Sequence, residues 1–243
     1  MSRAVSTFAL FCLLLAGFLA ALVWWAGWPL VSLAVDPAQR SAPYHVLYFD
    51  DAGPLATDAA GYRRELGTLF ESTDATGLWQ ATQLAVPVGQ VADEWQRIQA
   101  LRFPTGSGFV RTVTGRSYRG LGARAPGARR SVLGLLEAPQ PQVLSAHLLL
   151  IGAAFEPPAQ ADASAALREA FAGALAVGGR VYWDSPVAVL EGQTQLSHLL
   201  ILSFETPTAV DEWLFSTDTT TALALLGTRF SNLRLWRVSG VVR

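Results

Sequence analysis

The chain repeats itself after roughly 100 residues, and this internal repeat restricts its fold more than any other feature. Residues 45–49 (HVLYF) and 147–151 (HLLLI) lie 102 positions apart, and residues 95–103 (WQRIQALRF) and 196–204 (LSHLLILSF) lie 101 positions apart. Solenoid repeats have only about 20–50 residues, so this period is too long for a solenoid. The sequence therefore predicts two copies of one domain.

Each copy is predicted to follow the order β-α-β-β-α-β, which is the ferredoxin-like arrangement. In the second copy the first helix is the clearest element, because Leu167, Phe171 and Leu175 fall on one helical face. A capping box at residues 208–211 (TAVD) opens the second helix. The strands of this copy are predicted at residues 146–151, 181–190, 196–204 and 232–238.

The first copy differs from the second at its second helix. Six glycines lie between Gly106 and Gly127, and each one costs about 1 kcal/mol inside a helix. We therefore expect a broken helix or a long loop there. Residues 77–79 (GLW) align with residues 179–181 (GRV), again 102 positions apart.

The segment before the repeats is apolar. Residues 4–35 carry no charge, and about 20 apolar residues suffice to cross a membrane as a helix. Three tryptophans near the end of this run, Trp24, Trp25 and Trp28, are placed as an aromatic belt at the membrane interface would be. A cleaved signal peptide, whose apolar stretch has about 7–15 residues, is the alternative.

These patterns divide the chain into five segments. They are a transmembrane anchor (1–35), a linker (36–43), a degenerate ferredoxin-like unit (44–138), a Pro-rich linker (139–144) and a second ferredoxin-like unit (145–243). Arg3 favours a cytoplasmic N-terminus by the positive-inside rule. The 18 basic residues are all arginine, which is typical of GC-rich bacterial genomes. We expect a single-pass protein of the bacterial inner membrane whose main domain is periplasmic.

Composition excludes several classes of protein. With 18 arginines and 19 acids the net charge is −1, so the chain is not a nucleic-acid binder that works by bulk positive charge. A single cysteine excludes a disulfide framework. One cysteine and three scattered histidines also do not form the ligand pattern of a structural zinc site, so no metal site is predicted. No phosphate-loop or dinucleotide motif is present, so no cofactor is predicted.

Short motifs in the second unit resemble a known superfamily. They are residues 178–180 (GGR), 189–192 (VLEG), 203–204 (SF) and 212–213 (EW). With them the chain resembles the dimeric α/β-barrel superfamily, and most closely a small bacterial domain of unknown function within it. The resemblance implies an α+β fold in which the two units form an intrachain pseudo-dimeric barrel. The superfamily includes monooxygenases, haem enzymes and small lactone isomerases.

Five residues of the second unit are candidates for a ligand site. Aromatic walls with one or two carboxylates suit a small apolar ligand, and the alternative for these residues is ordinary core and hairpin packing. The candidates are Trp183, Asp184, Glu191, His198 and Trp213. His45 and His147, at aligned positions, are a second possible pair, or else hydrogen-bonded residues at a strand end.

An arginine-rich stretch is the clearest charge feature. No acid lies between Gly106 and Leu136. We expect this stretch to contact anionic lipid headgroups or an acidic protein partner, unless it is an ordinary solvated face. Its arginines are Arg111, Arg116, Arg119, Arg124, Arg129 and Arg130.

Two functions follow from these features. Because no catalytic constellation is evident, the first is a membrane-anchored extracytoplasmic binding or assembly module without catalysis of its own. The alternative is a small-molecule enzyme of the dimeric α/β-barrel type, monooxygenase- or isomerase-like, that acts on an apolar substrate.

Overall fold

The computed structural model describes residues 15–17, 35–51, 59–85, 95, 97–124, 129–154, 160–192, 196–227, 232–239 and 241–242. Its helices are α1 (Ala59–Glu71), α2 (Gly106–Thr114), α3 (Arg116–Arg124), α4 (Gln160–Ala170), α5 (Ala172–Ala176), α6 (Pro207–Leu214) and α7 (Thr217–Gly227). Its strands are β1 (Tyr44–Asp51), β2 (Thr76–Ala81), β3 (Gln83–Ala85), β4 (Arg97–Phe103), β5 (Arg129–Leu135), β6 (His147–Ala154), β7 (Arg180–Glu191), β8 (His198–Phe204) and β9 (Asn232–Ser239).

The strands form one antiparallel sheet in the order β2-β4-β1-β5-β7-β8-β6-β9-β3. Each half of this order is a ferredoxin-like sheet, β5-β1-β4-β2 in the first half and β9-β6-β8-β7 in the second. Because β3 follows β2 after a single residue, Thr82, the sheet returns to its starting edge and closes into a barrel. The predicted α+β ferredoxin-like class is confirmed.

The barrel interior is filled by side chains. Leu47 and Phe49 of β1 point inward, while Val46 and Tyr48 point to the helices outside, as the alternation of a strand requires. Four buried tryptophans dominate the interior, and they come from both halves of the chain. They are Trp79, Trp95, Trp183 and Trp236. The interior is therefore a packed core.

The second helix of each half is broken in the same way. Thr105 caps α2 by accepting a hydrogen bond from the Gly108 amide, and Thr206 caps α6 by accepting one from the Ala209 amide. The second cap corrects the predicted capping box, which began two residues later. In the first half, α2 and α3 meet at Gly115, so the glycine-rich stretch is a broken helix.

The structure also corrects the alignment of the two histidines. Tyr44 pairs with Phe103 in the first half, and His147 pairs with Phe204 in the second. His147 is therefore the counterpart of Tyr44. His45 lies one residue further along β1, on the inward-facing side with Leu47. A slip of one residue moves a side chain to the other face of the sheet, so the two histidines form no symmetric pair.

The second strand of each half required a larger correction. Pairing shifts between Gly77 and Trp79 in β2, and between Val181 and Trp183 in β7. Trp79 and Trp183 both come directly after this irregularity, and both are 1% exposed in the barrel core. They are therefore counterparts, whereas the sequence alignment matched Trp79 with Val181.

Within the described residues, no helix is long and apolar enough to cross a membrane. The predicted interface tryptophans Trp24, Trp25 and Trp28 lie outside these residues. The anchor, the five segment boundaries and the periplasmic location therefore stay predictions.

Candidate active site

The five candidate ligand residues of the second unit do not form one cleft. Trp183 points into the barrel, where its indole N–H donates to the Glu137 carbonyl at 2.8 Å. Trp213 lies outside the sheet, 5.0 Å from the Phe171 ring between centroids. The sheet separates the two tryptophans, so they cannot be walls of the same pocket.

Asp184 and His198 form a buried polar cluster beneath α4. His198 Nε2 lies 2.6 Å from Asp184 Oδ1, and the Ser164 hydroxyl and Arg168 donate to Asp184 Oδ2. Burial raises the pKa of Asp184, but hydrogen bonds from His198, Ser164 and Arg168 outweigh it and lower the pKa to about 2. Because the serine contacts the carboxylate and not the imidazole, the cluster holds no activated nucleophile. It attaches α4 to the sheet.

His45 is the second residue of β1, and its side chain points into the barrel. Its ring meets Trp183 edge-on, with 5.5 Å between centroids. Burial, and then the charge of Arg102, lower the pKa of His45 to about 4. His45 is therefore a neutral imidazole at physiological pH.

Glu191 belongs to a different cluster, which joins the two halves of the chain. Its carboxylate lies at the end of β7, where Arg130 Nη2 approaches Oε1 to 2.8 Å and the Tyr118 hydroxyl donates to Oε2 at 2.6 Å. The Arg130 guanidinium also lies 5.0 Å above the Tyr118 ring. A charge-assisted hydrogen bond on each carboxylate oxygen holds Glu191 in one orientation.

The local backbone brings the end of β7 close to the Arg130 side chain. Val132 pairs with Glu191 where the pairing of β5 and β7 becomes irregular. Gly192 follows with φ of +96°, and a Cβ on it would lie 2.8 Å from the Arg130 carbonyl oxygen. This turn therefore requires glycine.

Two further tyrosines extend the cluster between the sheet and α1. The hydroxyls of Tyr48 and Tyr62 lie 2.5 Å apart beneath α1. Burial is the main cause that raises the pKa of Tyr48, Tyr62 and Tyr118, and the Glu191 charge adds to the shift of Tyr118. Burial tends to lower the pKa of Arg130, but its tyrosine and glutamate neighbours raise it overall. At neutral pH the tyrosines therefore keep their protons and Arg130 keeps its charge.

A cleft of about 170 Å³ opens onto this cluster. One wall is apolar, and the other carries the Arg130–Glu191–Tyr118 network. In the network, the Glu191 side chain is 32% exposed and the Arg130 side chain 18%, so the carboxylate is the more accessible of the two. The lining residues are Phe109 and Val113 of α2, Tyr118 and Arg119 of α3, Arg130 and Val132 of β5, and Leu190 and Glu191 of β7.

The arginine-rich stretch divides between this cleft and the surface. Arg111, Arg116 and Arg119 are exposed on α2 and α3. Arg130 is turned inward to Glu191, which corrects its assignment to a contact surface. The side chains of Arg124 and Arg129 lie outside the described residues. Contact of this stretch with lipid or an acidic partner stays a prediction.

Sequence reasoning found Glu191 but missed the residues around it. Because the glycine-rich stretch was not assigned to regular helices, Phe109, Val113 and Tyr118 were not considered as lining residues. The spacing of Phe109 and Val113, four residues apart, is the signal that could have identified α2. In the described part of the chain, no three His, Cys, Asp or Glu side chains come together as metal ligands would.

No protein-family model matches the chain, and no curated protein matches it. Among solved structures, it is similar to a presumed monooxygenase from Fusobacterium nucleatum at 7% identity, over 84% of this chain and 94% of that one, with a TM-score of 0.47. An anthrone oxidase-like protein has 13% identity, coverage of 86% and 94%, and a TM-score of 0.45. A mutant chlorite dismutase from Candidatus Nitrospira defluvii has 13% identity, coverage of 84% and 95%, and a TM-score of 0.45.

These comparisons contradict one sequence-based prediction. The similar structures are described as monooxygenase, oxidase-like and chlorite dismutase proteins, and not as binding or assembly modules without catalysis, so that prediction is not retained. At such low identity the likeness concerns the fold, and the reaction must be argued from the cleft itself.

Proposed function

We propose that the chain is an enzyme that removes a proton from the carbon beside a carbonyl group in a small, largely apolar molecule. The observation that carries this proposal is the cleft, in which an accessible carboxylate faces apolar side chains. A concave apolar pocket with a few converging polar groups is the usual form of a small-molecule site. The alternative drawn from the sequence has the same class of substrate.

Glu191 is the base in this proposal. It takes the proton as the C–H bond breaks, and the electron pair of that bond moves to the carbonyl oxygen to give an enolate. Each carboxylate oxygen already accepts one hydrogen bond, from Arg130 or from Tyr118, but a carboxylate oxygen can accept more than one. The carboxylate can therefore stay oriented while it meets the substrate.

Tyr118 and Arg130 stabilise the negative charge that develops on the substrate. The raised pKa of Tyr118 keeps its hydroxyl protonated. When Glu191 becomes protonated it accepts hydrogen bonds less strongly, so the Tyr118 hydroxyl becomes free to donate to the enolate oxygen. The Tyr118 hydroxyl already lies at the cleft, so it needs only to turn from the carboxylate to the enolate oxygen, and a donor at that position stabilises the developing charge. Return of the proton to a different carbon completes an isomerisation.

Deuterium exchange tests the proposal. The purified chain is incubated in D₂O with 2-tetralone, a two-ring ketone, and loss of the proton signal beside the carbonyl is followed by NMR. We expect exchange faster than in buffer. Glu191→Gln should reduce the catalysed rate at least about 100-fold, which is the usual contribution of a general base. Leu190→Ser, in the apolar wall, should raise KM more than it lowers kcat.

Glu205→Gln is the matched control. Glu205 also pairs with an arginine, Arg180, at 3.0 Å, but this pair is exposed and is not part of the cleft lining. The control should exchange the ketone at the parent rate. Exchange no faster than in buffer, or an unchanged rate in Glu191→Gln, would contradict the proposal. Oxygen uptake with the same ketone would assign the oxygenase form of the alternative instead of the isomerase form.

A further inference from the structure

The most exposed large apolar side chain of the described residues lies on the second half of the chain. Phe215, which ends α6, is 80% exposed. Leu175 and Val177, at the end of the neighbouring α5, are each 39% exposed. Most large apolar side chains of the described residues are buried in three clusters. A phenyl ring as exposed as that of Phe215 gains free energy when a second surface covers it.

Acidic side chains flank this phenylalanine. Glu212 lies three residues before Phe215, at a spacing that places two side chains on the same helix face. Asp218 follows it in the first turn of α7. Both acids are exposed, and α6 and α7 carry no arginine. We call Glu212, Phe215 and Asp218 the acidic knob.

A groove of the complementary character lies on the first half. It has a volume of about 470 Å³, which is far larger than a phenyl ring, and it runs between the end of α1 and the length of α2. Leu69 and Pro104 contribute apolar surface, and Arg111 is the arginine of its lining. Arg116, five residues after Arg111, is exposed but is not part of the lining. Asp74 is the one acid in the lining.

We propose that the acidic knob of one copy of this chain docks in the groove of a second copy. Phe215 would enter between α1 and α2, while Glu212 and Asp218 meet Arg111 and Arg116. Burial of the phenyl ring supplies the affinity, and the paired charges select the orientation. Each copy offers both the knob and the groove, so copies can dock reciprocally in a closed dimer or head to tail in a ring or chain. The arginine-rich helices then meet acids of the same protein.

Sedimentation velocity of the full chain, in a mild nonionic detergent, tests the association. We expect species larger than the monomer, whose share rises with protein concentration and declines as salt is raised. Phe215→Ser should raise the dissociation constant at least about tenfold, as the loss of an aromatic anchor does. Val242→Ser, at an apolar side chain that is 58% exposed elsewhere, is the matched control and should leave association unchanged.

Charge reversal makes the test specific to this pairing. Glu212→Arg with Asp218→Arg should abolish association, and so should Arg111→Glu with Arg116→Glu, because each change makes knob and groove alike in charge. A mixture of the two variants should associate again. All four side chains are exposed, and circular dichroism confirms that the fold is kept. A monomeric parent at all concentrations, or a mixture that stays monomeric, would overturn the proposal, and neither result depends on the proposed enzyme activity.

Discussion

The helix pairs α2–α3 and α6–α7 begin at equivalent caps, Thr105 and Thr206, and then diverge. Thirteen residues after each cap lies a buried polar residue, Tyr118 in the first pair and Thr219 in the second. The Tyr118 hydroxyl reaches across to Glu191 of the other half. The Thr219 hydroxyl donates instead within its own helix pair, to the Trp213 carbonyl oxygen.

The two pairs also differ in how their buried faces are packed. Seven residues after each cap, the first pair has Thr112 and the second has Trp213, and both are buried. The indole fills the space beneath α6. Thr112 does not line the cleft that leads to Glu191, which α2 and α3 border with Phe109 and Tyr118. Packing in one pair and an open cleft in the other are therefore two uses of the same supersecondary position.

The largest expected effect is on packing in the second pair. Trp213→Ala should lower the free energy of unfolding by about 4 kcal/mol, because it removes a buried aromatic side chain that packs on Phe171. Thr112→Ala, at the equivalent position of the first pair, should cost about 1 kcal/mol. Urea unfolding measures both. Equal losses would contradict the assignment of packing to one pair and the cleft to the other.

The next effect concerns the charge buried in the first half. Asp50 pairs with Arg130 across β1 and β5, and Ala153 pairs with Leu233 at the same place in the second half. Arg130→Leu should lower the free energy of unfolding by about 2–3 kcal/mol, because it removes a hydrogen bond between charged groups from a partly buried Glu191. Adding Glu191→Leu should recover part of that loss.

Arg180→Leu is the control for Arg130→Leu, because it breaks an exposed ion pair, with Glu205. It should change the free energy of unfolding by less than about 0.5 kcal/mol. A double variant as unstable as the sum of its single changes would show that Arg130 and Glu191 are not energetically coupled.

A smaller effect is the pH dependence of the free energy of unfolding, which should come from a carboxylate of the second half and not from the neutral side chain at the equivalent place in the first. Arg97 bonds Gln80 in the first half at 2.9 Å, and His198 meets Asp184 at the equivalent place in the second half. The pKa of Asp184 is lowered to about 2 from 3.8. Its contribution to stability, about 2 kcal/mol, is therefore complete above pH 4 and is lost as the pH falls toward 2.

Asp184→Asn should lose that contribution at neutral pH and flatten the fall in stability below pH 4, as followed by thermal unfolding. Asp218→Asn, at an exposed acid, should keep the acid-induced loss. If Asp184→Asn shows the same decline in acid as the parent, the hydrogen bonds to this carboxylate are not the cause of the decline.

The smallest effect tests the equivalence itself. Thr105→Ala and Thr206→Ala each remove one capping hydrogen bond, to the Gly108 and Ala209 amides. Each should lower the free energy of unfolding by about 1 kcal/mol. Unequal losses would show that the two helix starts contribute differently to the fold despite their matching geometry.

The element order could be predicted from the sequence because periodicity is local. Leu167 and Phe171 lie on one face of α4 and are buried, as their spacing indicated. The alignment between the halves could not be predicted as well. An irregularity in each second strand displaces Trp79 and Trp183 relative to their neighbours, and an extra residue in a strand leaves no pattern in composition or charge.

The candidate site was less predictable than the fold. Glu191 was proposed as one of the carboxylates of an aromatic-walled cleft, but Tyr118, which contacts it, lies 73 residues before it. The two meet only because β5 of the first half pairs with β7 of the second. Asp184 and Trp213 were assigned to the same cleft, although the structure gives them separate roles in the cluster beneath α4 and in the packing beneath α6.

The sequence by itself determined the elements of the fold and their order. These are two β-α-β-β-α-β units, apolar strands for a common core, and an arginine-rich stretch without acids. These follow from the periodicity of helices and strands, which depends on near neighbours. Tertiary structure decided which side chains share a face, and so turned Arg130 from the surface to Glu191. Strand register and the pairing of β5 with β7 set those distances, and both depend on packing between residues far apart in the chain.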